Sequence, residues 1–276
     1  MVFSEAELAA YDAVTSDAED TAKVIVAEGG EAVACYADIS GDDGAGTLVQ
    51  TAVDTFGRVD ILVNNAAGLG FGPFADVTPT DWEYQLSAKL NGSFYCMRHA
   101  VPHMIRQGHG RILNAASDAW IGIANLSPYS AANAGVVALT KSAAKDLARY
   151  GITVNAYCPQ AASPGHLSFT ATLRTMMERA GAQMTVDEDR MKASEEAHGP
   201  AENLTFLAYL ATDEAAGISG AVFSVTGNGQ IALYSEPVHI SKITKDGTAW
   251  TLDELHKAVP QQLLKDYLPA AERQEF

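Results

Sequence analysis

The chain has 276 residues, of which 47% are hydrophobic and 19% are charged, and its formal net charge is −16. This length and apolar content predict one large α/β domain and exclude a wholly disordered chain. The negative charge repels phosphate backbones and anionic lipids, which disfavours nucleic acids and membrane surfaces as partners. An equally good interpretation is that the charge keeps the protein soluble.

Cysteine usage and the first residues indicate the compartment. Cys35, Cys96 and Cys158 are odd in number and far apart, a pattern typical of buried thiols under reducing conditions. The beginning of the sequence has neither a basic region nor a long apolar stretch, and no membrane span is predicted elsewhere. We therefore expect a cytoplasmic protein.

Hydrophobic periodicity and turn signals predict strands that alternate with helices along the chain. Helices are expected at residues 18–28, in a stretch ending at 56, and at 81–107, 128–150 and 201–212. Strands are expected at residues 31–39, 59–64, 111–115, 152–158 and 221–225. This alternation predicts a mostly parallel sheet covered by helices on both faces.

The sequence divides into a domain at residues 1–234 and an extension at residues 235–276. Within the extension, Thr251 and Glu254 form a capping box that predicts a short amphipathic helix. We expect the extension to pack on the domain or on a partner subunit.

Several segments occur in a characteristic order. They are Asp38, Asn64–Ala67, Asn114–Ser117, Tyr129–Asn133, Gly151–Ala156 and Ile218–Phe223. Together they resemble the short-chain dehydrogenase/reductase family over about residues 18–230. The tail from Trp250 to Leu255 more weakly resembles the branch of 3-hydroxyacyl-CoA and 17β-hydroxysteroid dehydrogenases. The family resemblance implies a Rossmann-like, doubly wound parallel sheet and association into dimers or tetramers through two long helices.

The same resemblance implies a glycine-rich βαβ unit that holds a pyrophosphate at a helix N-terminus. No glycine precedes Gly29, so we expect a Rossmann-like sheet that lacks this unit and has no cofactor, with NAD(P) disfavoured. If a dinucleotide does bind, its contacts are expected at Asp38, Asn64 and Ala66. Residues Gly41–Gly46 follow a predicted strand and open a predicted helix, as a phosphate-binding loop does. Their two aspartates would repel phosphate and favour a helix start instead.

The catalytic residues are predicted from the family pattern. The resemblance implies that Tyr129 is the acid/base and that Ser117 holds the substrate oxygen. The family's lysine, four residues after the tyrosine, is Asn133 here, whereas Lys89 stands where the family has asparagine on the preceding long helix. We hypothesise that Lys89 supplies the positive charge that Asn133 cannot. The alternative is a surface lysine that arose after redox function was lost.

Other side chains are weaker candidates. Trp120 and His166 are possible substrate contacts, with core packing and a loop position as the respective alternatives. His99 and His103 lie four residues apart on one helix, but no third ligand follows at a recognisable spacing, so no metal is predicted. Four methionines are candidates for an apolar cover over the substrate: Met176, Met177, Met184 and Met191.

Three functions remain open at this point. The first is a non-redox isomerase, cyclase or lyase that uses acid/base chemistry on a bulky keto or hydroxy compound. The second is an NAD(P)-dependent oxidoreductase of the 3-hydroxyacyl, steroid or polyketide type. The third is a non-catalytic subunit paired with an active homologue in a hetero-oligomer. The altered cofactor and lysine positions favour the first.

Overall fold

A computed structural model describes residues 17–68, 70, 72–161, 199, 201–237, 241–245 and 249–265. The chain forms two compact units, Met1–Tyr234 and Ser235–Phe276, and each is described by itself. The assignment of these parts as a domain and an extension stays a prediction.

The first unit contains a sheet of five strands. They are β1 (Ile61–Asn64), β2 (Gly110–Ala115), β3 (Ile152–Gln160), β4 (Val222–Thr226) and β5 (Ile231–Leu233). The strands lie in this order, with β1 to β4 parallel and β5 antiparallel to β4. All six residues of β2 are buried, as expected for a parallel strand covered on both faces.

Six α-helices of the first unit are described. They are α1 (Ala18–Ala27), α2 (Asp42–Phe56), α3 (Pro79–Leu86), α4 (Gly92–Gln107), α5 (Ser127–Leu147) and α6 (Thr205–Leu210). A π-turn at Ser87–Asn91 joins α3 to α4 without a break in the chain's helical course. Helix α3 begins with a capping box in which Thr78 and Asp81 bond each other's backbone N–H groups.

Hydrophobic clusters cover both faces of the sheet. On one face α2, α4 and α5 pack on the sheet around Met104, Ile112 and Val154. On the other face α6 contributes Leu210, which packs with Phe223. The side chains on one strand point to opposite faces in turn, so consecutive residues of β2 belong to different clusters. The predicted α/β, Rossmann-like fold is confirmed.

Three local predictions differ from the structure. Residues 31–39 form no strand, and two of their large apolar side chains are exposed, Val33 at 48% and Tyr36 at 70%. An apolar run becomes a strand only where its backbone bonds to a neighbour, and in the described sheet β1 is the edge strand. The helix predicted at residues 81–107 is divided by the π-turn, and β5 was not predicted, because its three residues are all exposed.

The second unit contains α7 (Leu252–Ala258). The predicted capping box is present, since the Thr251 hydroxyl accepts from Glu254 N–H and the Glu254 carboxylate accepts from Thr251 N–H at 2.8 Å. Lys245 donates to the same carboxylate at 2.6 Å, and together these contacts lower the pKa of Glu254 to about 2. Across the described residues of both units, no helix combines the length and apolar character that a bilayer crossing needs.

Candidate active site

The candidate site lies where β2, β3 and β4 end. Ser117 follows β2 by two residues, Gln160 closes β3, and Tyr129 lies in the first turn of α5. In parallel sheets covered by helices, ligands bind in the crevice outside the carboxyl ends of the strands. The fold therefore brings the predicted Ser–Tyr pair to the edge where a ligand is expected.

Ser117 and Tyr129 form the centre of this site. Both are partly buried, and Ser117 caps a 3₁₀ turn by accepting from Ala119 N–H at 3.3 Å. Burial raises the pKa of the Tyr129 phenol above 10, while hydrogen bonding by the Ser117 and Asn133 side chains lowers it in part. Tyr129 is thus held protonated at neutral pH and placed beside a second hydroxyl group.

Asn133 and Lys89 are both buried, Asn133 on α5 one turn after Tyr129 and Lys89 in the π-turn that packs on α5. Asn133 is 0% exposed and donates from Nδ2 to the Tyr129 carbonyl at 2.8 Å, one turn back on α5. Lys89 lies in the π-turn and is 2% exposed. Burial lowers the pKa of Lys89 from 10.5 to about 8. A side chain so deeply buried does not fit the alternative of a drifting surface lysine.

A carboxylate that the sequence analysis missed joins the site to β3, to β4 and to the residue after β5. Asp118 accepts from the Tyr234 hydroxyl at 2.6 Å, from the Ser224 hydroxyl at 3.1 Å and from Gln160 Nε2. Because Asp118 directly follows Ser117, these three bonds fix the backbone that carries the serine. The only sequence signal for this role is its place next to Ser117.

We expect this network to stabilise the fold measurably. Asp118→Asn should lower the free energy of unfolding by about 2 kcal/mol, because its amide presents a donor to groups that themselves donate. Tyr234→Phe removes one hydrogen bond and should lower it by about 1 kcal/mol. Urea unfolding of both variants tests this. Equal stability of the wild type and Asp118→Asn would contradict it.

The three residues expected to contact a dinucleotide, if one binds, differ in how far they are exposed. Asp38 is exposed, and a bond from Ser40 N–H lowers the pKa of its carboxyl, so it is ionised at neutral pH. Ala66 is exposed as well. Asn64 is buried and donates to Asn114 Oδ1 at 2.8 Å, so it stabilises the sheet from within. Three features fit the parts of a nicotinamide dinucleotide that lie outside its pyrophosphate. They are the ionised Asp38 carboxylate, which can accept from hydroxyl groups, the open backbone at Ala66, and the Ser117–Tyr129 pair.

Gly41–Gly46 does not resemble a phosphate site in the structure. Gly41 is the N-cap of α2, and Asp42 lies in the first turn. The Asp42 carboxylate is bound by Arg98 at 2.6 Å and lies 3.0 Å from His99 Nε2. A Cβ on Gly44 would lie 1.9 Å from the Asp38 carbonyl oxygen, so backbone packing explains this glycine.

The remaining candidate residues either contact other side chains or lie outside the residues that the structure describes. Trp120 packs edge-on against Tyr234, with ring centroids 5.3 Å apart, so its role as a pocket wall stays a prediction. His103 Nδ1 lies 2.9 Å from Arg106 Nη2. Within the described ranges, no three His, Cys, Asp or Glu side chains form a group that could hold a metal. His166 and the four methionines fall between residues 162 and 198, outside the described residues.

Comparison with known proteins identifies the relatives of this chain. The family model described as short chain dehydrogenase matches residues 1–173. The 3-oxoacyl-(acyl-carrier-protein) reductase of Synechocystis is 35% identical over 222 residues, covering 79% of this chain and 83% of that one. A probable 2,4-dienoyl-CoA reductase of Bacillus subtilis is 35% identical over 217 residues, covering 76% and 81%. The (2S)-((R)-hydroxy(phenyl)methyl)succinyl-CoA dehydrogenase subunit BbsD of Thauera aromatica is 41% identical, but the match spans only 48% of this chain and 54% of that subunit.

Two solved structures share the fold. A short chain dehydrogenase from Mycobacterium avium superposes with a TM-score of 0.71 at 30% identity, covering 91% of this chain and 79% of that one. An NAD⁺-bound xylitol dehydrogenase superposes with a TM-score of 0.66 at 27% identity, covering 76% and 84%.

These findings correct two predictions. The expected non-redox isomerase, cyclase or lyase was wrong, since the relatives are named as reductases and dehydrogenases. The expectation that no cofactor is used was wrong too, because a structural neighbour is NAD⁺-bound. Both predictions relied on the absence of the glycine-rich unit and of a lysine at position 133. A missing motif in one sequence does not exclude a cofactor. The order of motifs, the parallel sheet and the matching family model together show that this chain belongs to the short-chain dehydrogenase family.

Proposed function

We propose that the chain is a nicotinamide-dependent oxidoreductase that interconverts a ketone and a secondary alcohol. The observation that carries this proposal is the Ser117–Tyr129 pair at the carboxyl ends of the parallel strands. When bound, the nicotinamide cofactor supplies or accepts the hydride. We assign contacts with the rest of the dinucleotide to Asp38 and Ala66, both of which are exposed.

Tyr129 moves the proton in this proposal. During reduction its phenol gives a proton to the carbonyl oxygen, and during oxidation the phenolate takes the hydroxyl proton. Ser117 donates a hydrogen bond to the same oxygen and stabilises the charge that develops there. A phenol with a raised pKa is a reluctant proton donor, so the phenolate left behind needs a stabilising partner.

The substrate that the relatives favour is an acyl thioester with an oxygen at the third carbon. Relatives named for acyl-carrier-protein and CoA compounds support this choice.

A cytoplasmic homodimer or tetramer remains part of the proposal. A hetero-oligomer is the alternative, because one relative is named as a subunit.

The assay follows the absorbance of NADH or NADPH while an acetoacetyl thioester is reduced. We expect turnover, and we expect Ser117→Ala to lower kcat about 10²-fold, the usual cost of removing one donor to a developing oxyanion. A steroid ketone serves as the comparison substrate. Equal rates for the wild type and Ser117→Ala would contradict the role of Ser117, and turnover of the steroid alone would contradict the thioester.

A further inference from the structure

The π-turn at Ser87–Asn91 places a lysine inside the protein. Such turns hold one residue more than an α-helical turn and often occur at functional sites. The Lys89 carbonyl accepts from the Ser93 hydroxyl at 2.7 Å, so its backbone is satisfied within the helix. Its ammonium has no hydrogen bond or ion pair to any residue that the structure describes. The ammonium is therefore a buried donor available to a partner.

A complementary acceptor lies on the neighbouring helix. Asn133 Oδ1 is buried and accepts no hydrogen bond from any described residue. Leaving such an acceptor unpaired costs about 1–3 kcal/mol, so its presence indicates a partner. Its amide nitrogen is already bonded to the Tyr129 carbonyl, which fixes the orientation of the free oxygen relative to the tyrosine.

The two helices approach each other closely at this point. The π-turn packs on α5, and a Cβ on Gly135 would lie 2.7 Å from Leu90 Cδ2. Leu90 is adjacent to Lys89, and Gly135 is two residues from Asn133. Glycine at position 135 thus allows the π-turn to approach the helix that carries the tyrosine.

Other titratable groups near this spot do not neutralise Lys89. The Cys158 thiol lies within electrostatic range of both Lys89 and Tyr129, but burial raises its pKa, so it stays protonated and uncharged. Asp118 also acts on Tyr129, and its carboxylate is engaged by Tyr234, Ser224 and Gln160. Tyr129 shares the Cys158 thiol with Lys89 as an electrostatic neighbour, and its phenolate is the anion that the reaction itself would create.

We propose that Lys89 is the cationic partner of Tyr129 and that its ammonium pairs with the free oxygen of Asn133 as the phenolate forms, so that the charge acts from a different helix than in the resembled family pattern. Lys89 is a positioning residue that stabilises the phenolate as it forms. One ammonium N–H proton then passes to the phenolate oxygen, and the neutral amine regains a proton from water. This inference rests on the proposed function.

The test reads the ionisation of position 129 directly, without cofactor or substrate. 3-Nitrotyrosine incorporated at position 129 gives a visible absorbance change on ionisation, and the nitro group makes the phenol acidic enough to titrate while Lys89 is still protonated. We expect Lys89→Met to move the midpoint upward by about one pH unit, because a nearby opposite charge favours the ionised form by at least that much. Adding Asn133→Lys to the Lys89→Met variant should move it back.

Lys145→Met is the matched control, because Lys145 is an exposed lysine on the same helix as the tyrosine. It should leave the midpoint in place. An unchanged midpoint in Lys89→Met would overturn the inference, and so would an equal shift in both variants. If the midpoint depends on Lys89 but the protein transfers no hydride, the proposed function is rejected and this inference stands.

Discussion

Replacing Tyr129 with phenylalanine is expected to lower kcat by about 10²–10⁴-fold, the usual contribution of a positioned general acid. In the proposed mechanism the phenol gives a proton to the substrate oxygen, and Ser117 binds that oxygen but does not replace the lost acid. The fold should remain intact, because the Asn133 amide keeps its hydrogen bond to the backbone carbonyl of residue 129, which phenylalanine retains. Steady-state rates with the acetoacetyl thioester measure the effect.

Tyr209→Phe is the control for this experiment. Tyr209 lies on α6, is 43% exposed and stacks on Phe206, away from the Ser–Tyr pair. Its variant should keep the wild-type rate. If Tyr129→Phe also keeps that rate, Tyr129 is not the general acid. A non-catalytic subunit paired with an active homologue would instead show no turnover by itself.

Replacing Lys89 with methionine is expected to make the protein more stable at pH 7, by about 2–3 kcal/mol. Holding a charged ammonium in the interior lowers the pKa of Lys89 from 10.5 to about 8, and that difference corresponds to about 3 kcal/mol. Methionine has a similar length and no charge to desolvate. Urea unfolding at pH 7 measures the difference.

The pH dependence of this difference has a definite sign. Between pH 8 and 10.5 the unfolded chain holds a proton on Lys89 that the folded chain has lost, so wild-type stability rises with pH in this window. The advantage of Lys89→Met should be largest below pH 8 and should shrink toward pH 10.5. Lys145→Met should change stability by less than about 1 kcal/mol and show no such trend, because exposed substitutions have small effects. A constant advantage across the range would contradict the buried charge.

The positions of Ser117 and Tyr129 could be predicted from the sequence, because the family resemblance marks both residues and the local pattern predicts the elements that carry them. Ser117 follows a buried strand, and Tyr129 comes just after Pro128, which starts a long helix. The carboxyl ends of parallel strands meet at one edge, so the positions of both residues follow from the order of the elements. Asn133 and Lys89 could also be noted as exchanged relative to the family pattern.

The surroundings of this pair could not be predicted, since they depend on long-range contacts. The partners of Asp118 are 42, 106 and 116 residues away in the chain, and periodicity holds no information about such contacts. The π-turn that buries Lys89 was read as ordinary helix, because a single inserted residue hardly changes the apolar pattern. Asn64 stays a conditional cofactor contact, and its bond to Asn114 within the sheet could not be predicted from the sequence.

The error about the cofactor has a different origin. The prediction combined the lack of an early glycine with the loss of a lysine at position 133. The second point is weakened by the structure, because a buried lysine lies on the adjacent π-turn. A charge required by chemistry can come from any side chain that reaches the spot, so one substituted position is weak evidence against an activity.

Deuterium transfer is the most direct test of the proposed redox chemistry. The protein is incubated with an acetoacetyl thioester and with NADH or NADPH deuterated at C4 of the nicotinamide, and the product is analysed by mass spectrometry and NMR. We predict a 3-hydroxyacyl thioester that carries deuterium on the former carbonyl carbon, and we predict that Tyr129→Phe forms far less of it. A thioester that is converted without deuterium at that carbon would contradict the account.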